Sequence, residues 1–152
     1  MRSLAVLAVC LLTTTSHADE LRILAWNVES DGNDPDVIVS QLHELPGYDI
    51  VGLTEVRASS IKKYVDALST SGNTYLSVNT ATGGSDRIVL AYNTKRLQLL
   101  SGYEMHRFGD WLLNSQGDDG NWRHRSPLVG HFRDRESGVD FRVLCGAFRY
   151  VE

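Results

Sequence analysis

The sequence predicts one α/β domain (α+β by some schemes) built on a mixed β-sheet. Three observations carry this expectation. Between Leu21 and Val56 a strand-like run, an amphipathic helix and a second strand-like run follow one another, the order of a βαβ unit. From Thr74 onward strand-like runs come in series with turn-rich stretches between them, which adds antiparallel pairs to the parallel one. There is also no internal repeat and no low-complexity linker, and the 152 − 18 = 134 residues beyond the signal-like N-terminus are about one domain's worth.

The elements follow in chain order. Residues 1–18 have the pattern of a secretory signal: basic Arg2, an apolar run from Leu4 to Leu12, and Ser16-His17-Ala18 as the cleavage motif. Cleavage after Ala18 places the protein outside the cytoplasm, secreted or periplasmic. The apolar run is too short to span a bilayer, which takes about 20 residues. Cys10 lies within that run after Val9, so a lipid-modified cysteine is the lesser alternative. Residues 19–152 then make the folded domain with one cysteine, Cys145, so no internal disulfide forms and the core must come from packing.

Leu21 to Trp26 reads as a buried first strand. Asp34-Pro35 starts a helix, with aspartate as N-cap and proline at N1, where its missing N–H costs nothing. Ile38, Leu42 and Leu45 share one helical face, and Pro46-Gly47 ends the helix. "YDIVGLTEV" is the second strand, parallel to the first and adjacent or nearly so. A second helix runs from Ser59 or Ser60 to about Leu68, with Ile61, Tyr64, Val65 and Leu68 on one face, until Ser71-Gly72-Asn73 breaks it. The later strands are "TYLSV", "RIVLAYN", "LQLLSGYEM", "PLVGHF" and "VDFRVL", with "TATGGSD", "NSQGDDGN" and "RDRESG" as turns.

Formal net charge is −4, and loss of Arg2 with the signal makes it one unit more negative. A general polyanion binder is therefore excluded; a phosphate-bearing partner needs a local basic patch or a metal. Charge is unevenly spread. From Arg107 onward every Lys/Arg position is arginine, including Arg123, Arg125, Arg133, Arg135, Arg142 and Arg149. Arginine matches phosphate or carboxylate bidentately, although a surface arginine also serves simply to solvate a face.

The candidate site comes from the βαβ unit. Asn27 ends the first strand and Glu55 stands at the end of the second. Parallel strands joined by a crossover helix end on the same sheet edge, where open α/β sheets bind ligands. A glutamate there is a hard-oxygen ligand suited to Mg²⁺, Ca²⁺ or Mn²⁺, and an amide can fix that carboxylate or coordinate beside it. Spacing alone leaves a second reading open: Asn27 as ordinary turn chemistry, and Glu55 paired with Arg57 or facing solvent.

"LRILAWNVES" followed by "PDVIVSQLHELPGYDIVGLTEV" resembles the opening of the endonuclease/exonuclease/phosphatase (DNase I-like) family. Trp26-Asn27 matches its W-N strand end, and Asp49-Ile50-Val51-Gly52-Leu53-Thr54-Glu55 its D-I-V-x-L-x-E strand. "SDRIVLAYNTKRLQLL", "RSPLVGHF" and "VDFRVL" resemble later strands, so the similarity reaches about Leu144. The resemblance implies part of a four-layer α/β sandwich with a mixed sheet. It also implies hydrolysis of a phosphoester with Mg²⁺ (or Mn²⁺) as cofactor. Glu55 would bind the metal, Asn27 would support the metal and the scissile phosphate, and Arg125 would contact phosphate or hold its loop, a core or surface role for Arg125 being the alternative. The substrate would be a phosphate ester: nucleic acid, phospholipid head group or sugar phosphate.

The chain departs from the family pattern after Val143. Where the family carries a histidine, this sequence reads Leu144-Cys145-Gly146-Ala147-Phe148, and the later D-x-N and D-H motifs do not follow. His17 leaves with the signal. His43, His106, His124 and His131 have no partner at metal-ligand or triad spacing, and Cys145 has no paired histidine, so it reads as a small buried residue. The expectation is therefore a front half whose C-terminal half is missing, inactive alone. The alternative is a non-catalytic half-domain, or a binding module that uses the arginine-rich turn from Trp122 to Arg125.

Overall fold

The computed structural model describes residues 20–29, 32–45, 47–69, 72–83, 85–105 and 126–146. The signal pattern, Pro46, Ser71, the turn "NSQGDDGN", His106, His124 and the arginine-rich turn containing Arg125 lie outside these residues.

Strand β1 (Ile23–Asn27), helix α1 (Pro35–Glu44) and strand β2 (Ile50–Arg57) form the expected βαβ unit, with β1 and β2 parallel and adjacent. Asp34 caps α1: its Oδ1 accepts from the Asp36 N–H at 2.9 Å, and Pro35 opens the first turn. Ile38 and Leu42 are buried against the sheet. The second helix starts differently from expectation. A 3-10 turn, Ala58–Ser60, leads into α2 (Ile61–Leu68), and Ser60 is buried with no side-chain hydrogen bond to the helix backbone. Tyr64, Val65, Ala67 and Leu68 turn inward.

Strands β3 (Tyr75–Asn79) and β4 (Asp86–Asn93) complete a first sheet of order β1-β2-β4-β3, mixed because only the β1–β2 pair is parallel. Strands β5 (Leu97–Glu104), β6 (Leu128–Asp134) and β7 (Asp140–Cys145) form a second, antiparallel sheet. Both helices pack on one face of the first sheet, over Val51, Leu53, Val56, Val89 and Ala91. The opposite face presents Ile50, Ile88, Leu90 and Tyr92 to Leu97, Leu128 and Phe132 of the second sheet. The described residues thus make three layers: helix, sheet, sheet.

Small residues let the two sheets approach. A Cβ placed on Gly52 would stand 3.2 Å from the Cys145 sulfur, and one on Gly130 would stand 2.4 Å from the Phe132 ring and 3.3 Å from Leu90. Cys145 is half-buried against β2, and burial pushes its thiol up to about 11. It packs as a small side chain, half-buried where the sequence suggests a buried one.

The structure corrects one expectation. The first strand is a half-covered edge strand, not a buried one. Leu24 and Trp26 pack toward the helices, whereas Ile23, Ala25 and Asn27 on the other face are exposed, Ile23 by 49%. The physical reason lies in the sheet sizes. Strand β7 reaches over Gly52 of β2, and among the described residues nothing of the second sheet continues over β1. At the far end, Arg96 locks the β4–β5 turn to the β6–β7 turn: its Nε and Nη2 donate to the Asp134 carboxylate at 2.9 and 3.1 Å.

Candidate functional site

Strands β1 and β2 run in register from Ile23↔Ile50 to Asn27↔Thr54, and the Val28 N–H donates to the Thr54 carbonyl at 3.1 Å. Asn27 and Glu55 therefore stand at the same sheet edge, Glu55 one residue beyond the residue that pairs with Asn27. Register neighbours share a face, so Asn27 lies with Thr54 on the face opposite the helices. Strict alternation would put Glu55 on the helix face.

Alternation fails at that point. Between Leu53↔Val89 and Val56↔Arg87, β2 advances three residues while β4 advances two, leaving one extra residue in β2. Leu53 and Val56 consequently both face the helices, although three apart. This is a β-bulge, a device that re-aims side chains at sheet edges. It breaks the alternation that would otherwise set Glu55 on the helix face. Glu55 itself has φ 59°, in the left-handed region that costs an L-residue about 1–2 kcal/mol. Thr54 and Glu55 are both half-buried.

Turn chemistry and site geometry coexist at Asn27. Its Oδ1 accepts the Glu29 N–H at 3.1 Å, so its amide shapes the loop after β1. One Oδ1 lone pair and the Nδ2 donors remain beyond that bond. Glu29, with φ 47°, is the other non-glycine residue in left-handed backbone among those described. Its carbonyl accepts from the Gly32 and Asn33 N–H groups at 2.9 and 3.2 Å, and Asn33 Nδ2 donates to the Val28 carbonyl at 2.9 Å. Glu29 stands two residues after Asn27, where this Asx turn holds it at the edge.

The remaining sequence candidates are dispersed. His43 is exposed on the last turn of α1, at the opposite end of the sheet from Glu55. His131 lies on the outer face of the second sheet, paired with Arg142. A cavity of about 50 Å³ lined by Leu42, Tyr48, Leu68 and Tyr75 also lies at the far end. It has room for one or two waters.

Among the described residues no three His, Cys, Asp or Glu side chains gather to ligate a metal, so the donor set does not fit a closed tetrahedral site. Glu55 and the Asn27 amide carry oxygen donors, the ligand type taken by a hard cation that keeps several waters, such as Mg²⁺. Among the described residues no helix is long and apolar enough to cross a membrane.

No protein-family model and no curated protein matches the chain. Solved structures do. An endonuclease/exonuclease/phosphatase from Bacteroides vulgatus aligns with a TM-score of 0.52 and 16% identity, over 82% of this chain and 51% of that one. A mannosyl-6-phosphatase from Bacteroides thetaiotaomicron VPI-5482 aligns at 0.49 and 18% identity, over 82% and 50%. An endonuclease/exonuclease/phosphatase family protein from Bacteroides thetaiotaomicron aligns at 0.49 and 20% identity, over 82% and 49%. The chain has part of the fold of the B. vulgatus protein and spans about half the length of all three.

Proposed function

We propose that this chain carries the cation- and phosphate-facing edge of an exported, divalent-metal-dependent phosphoesterase, and that it is inactive on its own. The observation that carries the reading is Glu55: a carboxylate held in left-handed backbone at a bulge, beside Asn27 at the carboxyl edge of a parallel strand pair. Strain of this kind persists where surrounding structure enforces it, and it clusters at functional sites.

In this reading the Glu55 carboxylate holds Mg²⁺ or Mn²⁺. The Asn27 Oδ1 keeps the loop turn while its Nδ2 donates to a phosphate oxygen. A bound cation supplies charge that polarises the phosphoryl oxygen and offsets charge on the leaving group. Arg125 is assigned to phosphate contact or to holding its loop, on the sequence motif alone. The substrate class is a phosphate ester, with nucleic acid, phospholipid head group and sugar phosphate undistinguished. Inactivity alone is supported by the departure from the family pattern after Val143 and by the exposure of Ile23 and Ala25 on the inner face of β1.

The test is turnover of a chromogenic phosphodiester and phosphomonoester by the 152-residue chain, with Mg²⁺ and with chelator, beside Mn²⁺ binding. The expected result is cation binding that needs Glu55, without turnover. Mg²⁺-dependent turnover lost in Glu55→Gln would overturn the inactivity. Absence of cation binding at this edge would overturn the phosphoesterase reading and favour a non-catalytic half-domain.

A further inference from the structure

We propose that Glu104 is a positioning residue for the Glu55 bulge, acting across the two sheets through the turn between β3 and β4; this rests on the role given to Glu55 above. Glu104 ends β5, in the second sheet. Its carboxylate accepts the Ala81 N–H, the Thr82 hydroxyl and, at 3.3 Å, the Thr82 N–H, all from the turn that follows β3 of the first sheet. Hydrogen bonds to an ionised carboxylate are roughly twice as strong as neutral ones. With three donors directed at it, this carboxylate fastens one sheet to the other.

The turn passes the restraint on to β4. The Thr82 carbonyl accepts from Arg87 Nη1 at 2.8 Å, and Arg87 is the register partner of Val56, the residue after Glu55. Thr80 is fully buried, donates its N–H to the Ile88 carbonyl at 3.0 Å and accepts the Ile88 N–H on its hydroxyl at 3.0 Å. Ile88 is the β4 residue that faces the extra residue of the bulge. The stretch of β4 against which the bulge leans is thus held from its other side by the turn that Glu104 anchors. The same Thr82 hydroxyl accepts the Ser126 N–H at 3.2 Å, next to the Met105–Pro127 backbone bond of 2.9 Å, so the start of β6 joins the same knot.

This arrangement answers a physical need. A left-handed, bulged glutamate relaxes toward ordinary strand geometry unless its partner strand resists. Strand β4 resists only if it is braced, and the brace converges on Thr82 and Glu104. Loss of the latch should loosen the end of β2 and leave its beginning intact, because Ile50–Leu53 pair with Val89–Tyr92, away from the turn.

The experiment is amide hydrogen exchange on the whole 152-residue chain, comparing Glu104→Gln, Thr82→Val and Thr82→Ser with the parent. Thr82→Val keeps the shape and removes the hydroxyl, whereas Thr82→Ser restores the hydroxyl. Glu104→Gln and Thr82→Val should each lower protection of the amides at residues 54–57 and 86–89 by about tenfold, a local opening, with residues 50–53 and 129–132 little changed. Thr82→Ser should match the parent. No metal enters the measurement, so its outcome is separate from whether Glu55 binds a cation. Unchanged protection at residues 54–57 would overturn the proposal. Equal loss of protection across both sheets, failure of Thr82→Val to fold, or failure of Thr82→Ser to restore protection would each make the role merely structural and overturn it too.

Discussion

Replacing Glu55 with glycine and, separately, with alanine should reverse the usual order of stability. Both substitutions remove the same carboxylate, so comparing the two variants cancels its interactions and leaves the backbone. At an ordinary strand position glycine is less stable than alanine by about 0.5–1 kcal/mol, because it loses more conformational entropy on folding. At φ 59° alanine carries the left-handed penalty of about 1–2 kcal/mol, which glycine escapes. The two effects oppose, and the difference leaves glycine ahead by about 0–1.5 kcal/mol, or about 0.75 at the middle of both ranges. Urea unfolding followed by circular dichroism resolves this as a higher midpoint for Glu55→Gly at unchanged slope. If alanine proves the more stable, Glu55 has an ordinary strand backbone. The bulge geometry, and the inference that the fold holds this glutamate against its preference, would then be refuted.

Three further outcomes follow from the packing and charge of the sandwich. The Arg96 guanidinium beside Asp134 holds that carboxyl down at about 2 from an ordinary 3.8, helped by the Glu136 N–H and the Ser137 hydroxyl. A depressed carboxylate stabilises the fold above its unfolded pKa, so this contribution of about 2 kcal/mol is present above about pH 4 and lost toward pH 2; Asp134→Asn should abolish that acid-limb slope in urea midpoints. Gly130→Ala should cost about 1–3 kcal/mol by overpacking against the fully buried Phe132 ring, read as a lower melting temperature, and no loss would contradict the close approach. The Cys145 thiol, pushed up to about 11, should alkylate at pH 8 about a hundredfold more slowly than it does in the urea-unfolded chain; equal rates would place it in solvent.

Much of the fold was legible because local signals agreed with the final packing. Asp34-Pro35 wrote the start of α1, and Ile38 and Leu42 wrote its buried face. Short apolar runs between turn residues located the later strands. The parallel pairing that brings Asn27 and Glu55 to one edge followed from the βαβ order alone. Strand coverage was not legible. "LRILAW" has the apolarity of a buried strand, yet its exposure depends on how far the second sheet extends, which is a tertiary fact. Nor was the bulge at Thr54-Glu55, because an extra residue leaves no mark in an apolar run and shows only against the partner strand. Ser60 has the residue type of an N-cap and does not act as one, since a 3-10 turn precedes the helix and the side chain is buried.

The central proposal is that Asn27 and Glu55 form a hard-cation edge, and its most direct measurement is paramagnetic mapping. Mn²⁺ added to the ¹⁵N-labelled 152-residue chain should broaden amides at residues 27–29 and 54–56 first. Mg²⁺ should compete, and Glu55→Gln, which removes the charge and keeps the shape, should abolish the effect. Broadening that is absent from those residues, or that persists unchanged in Glu55→Gln, would contradict it.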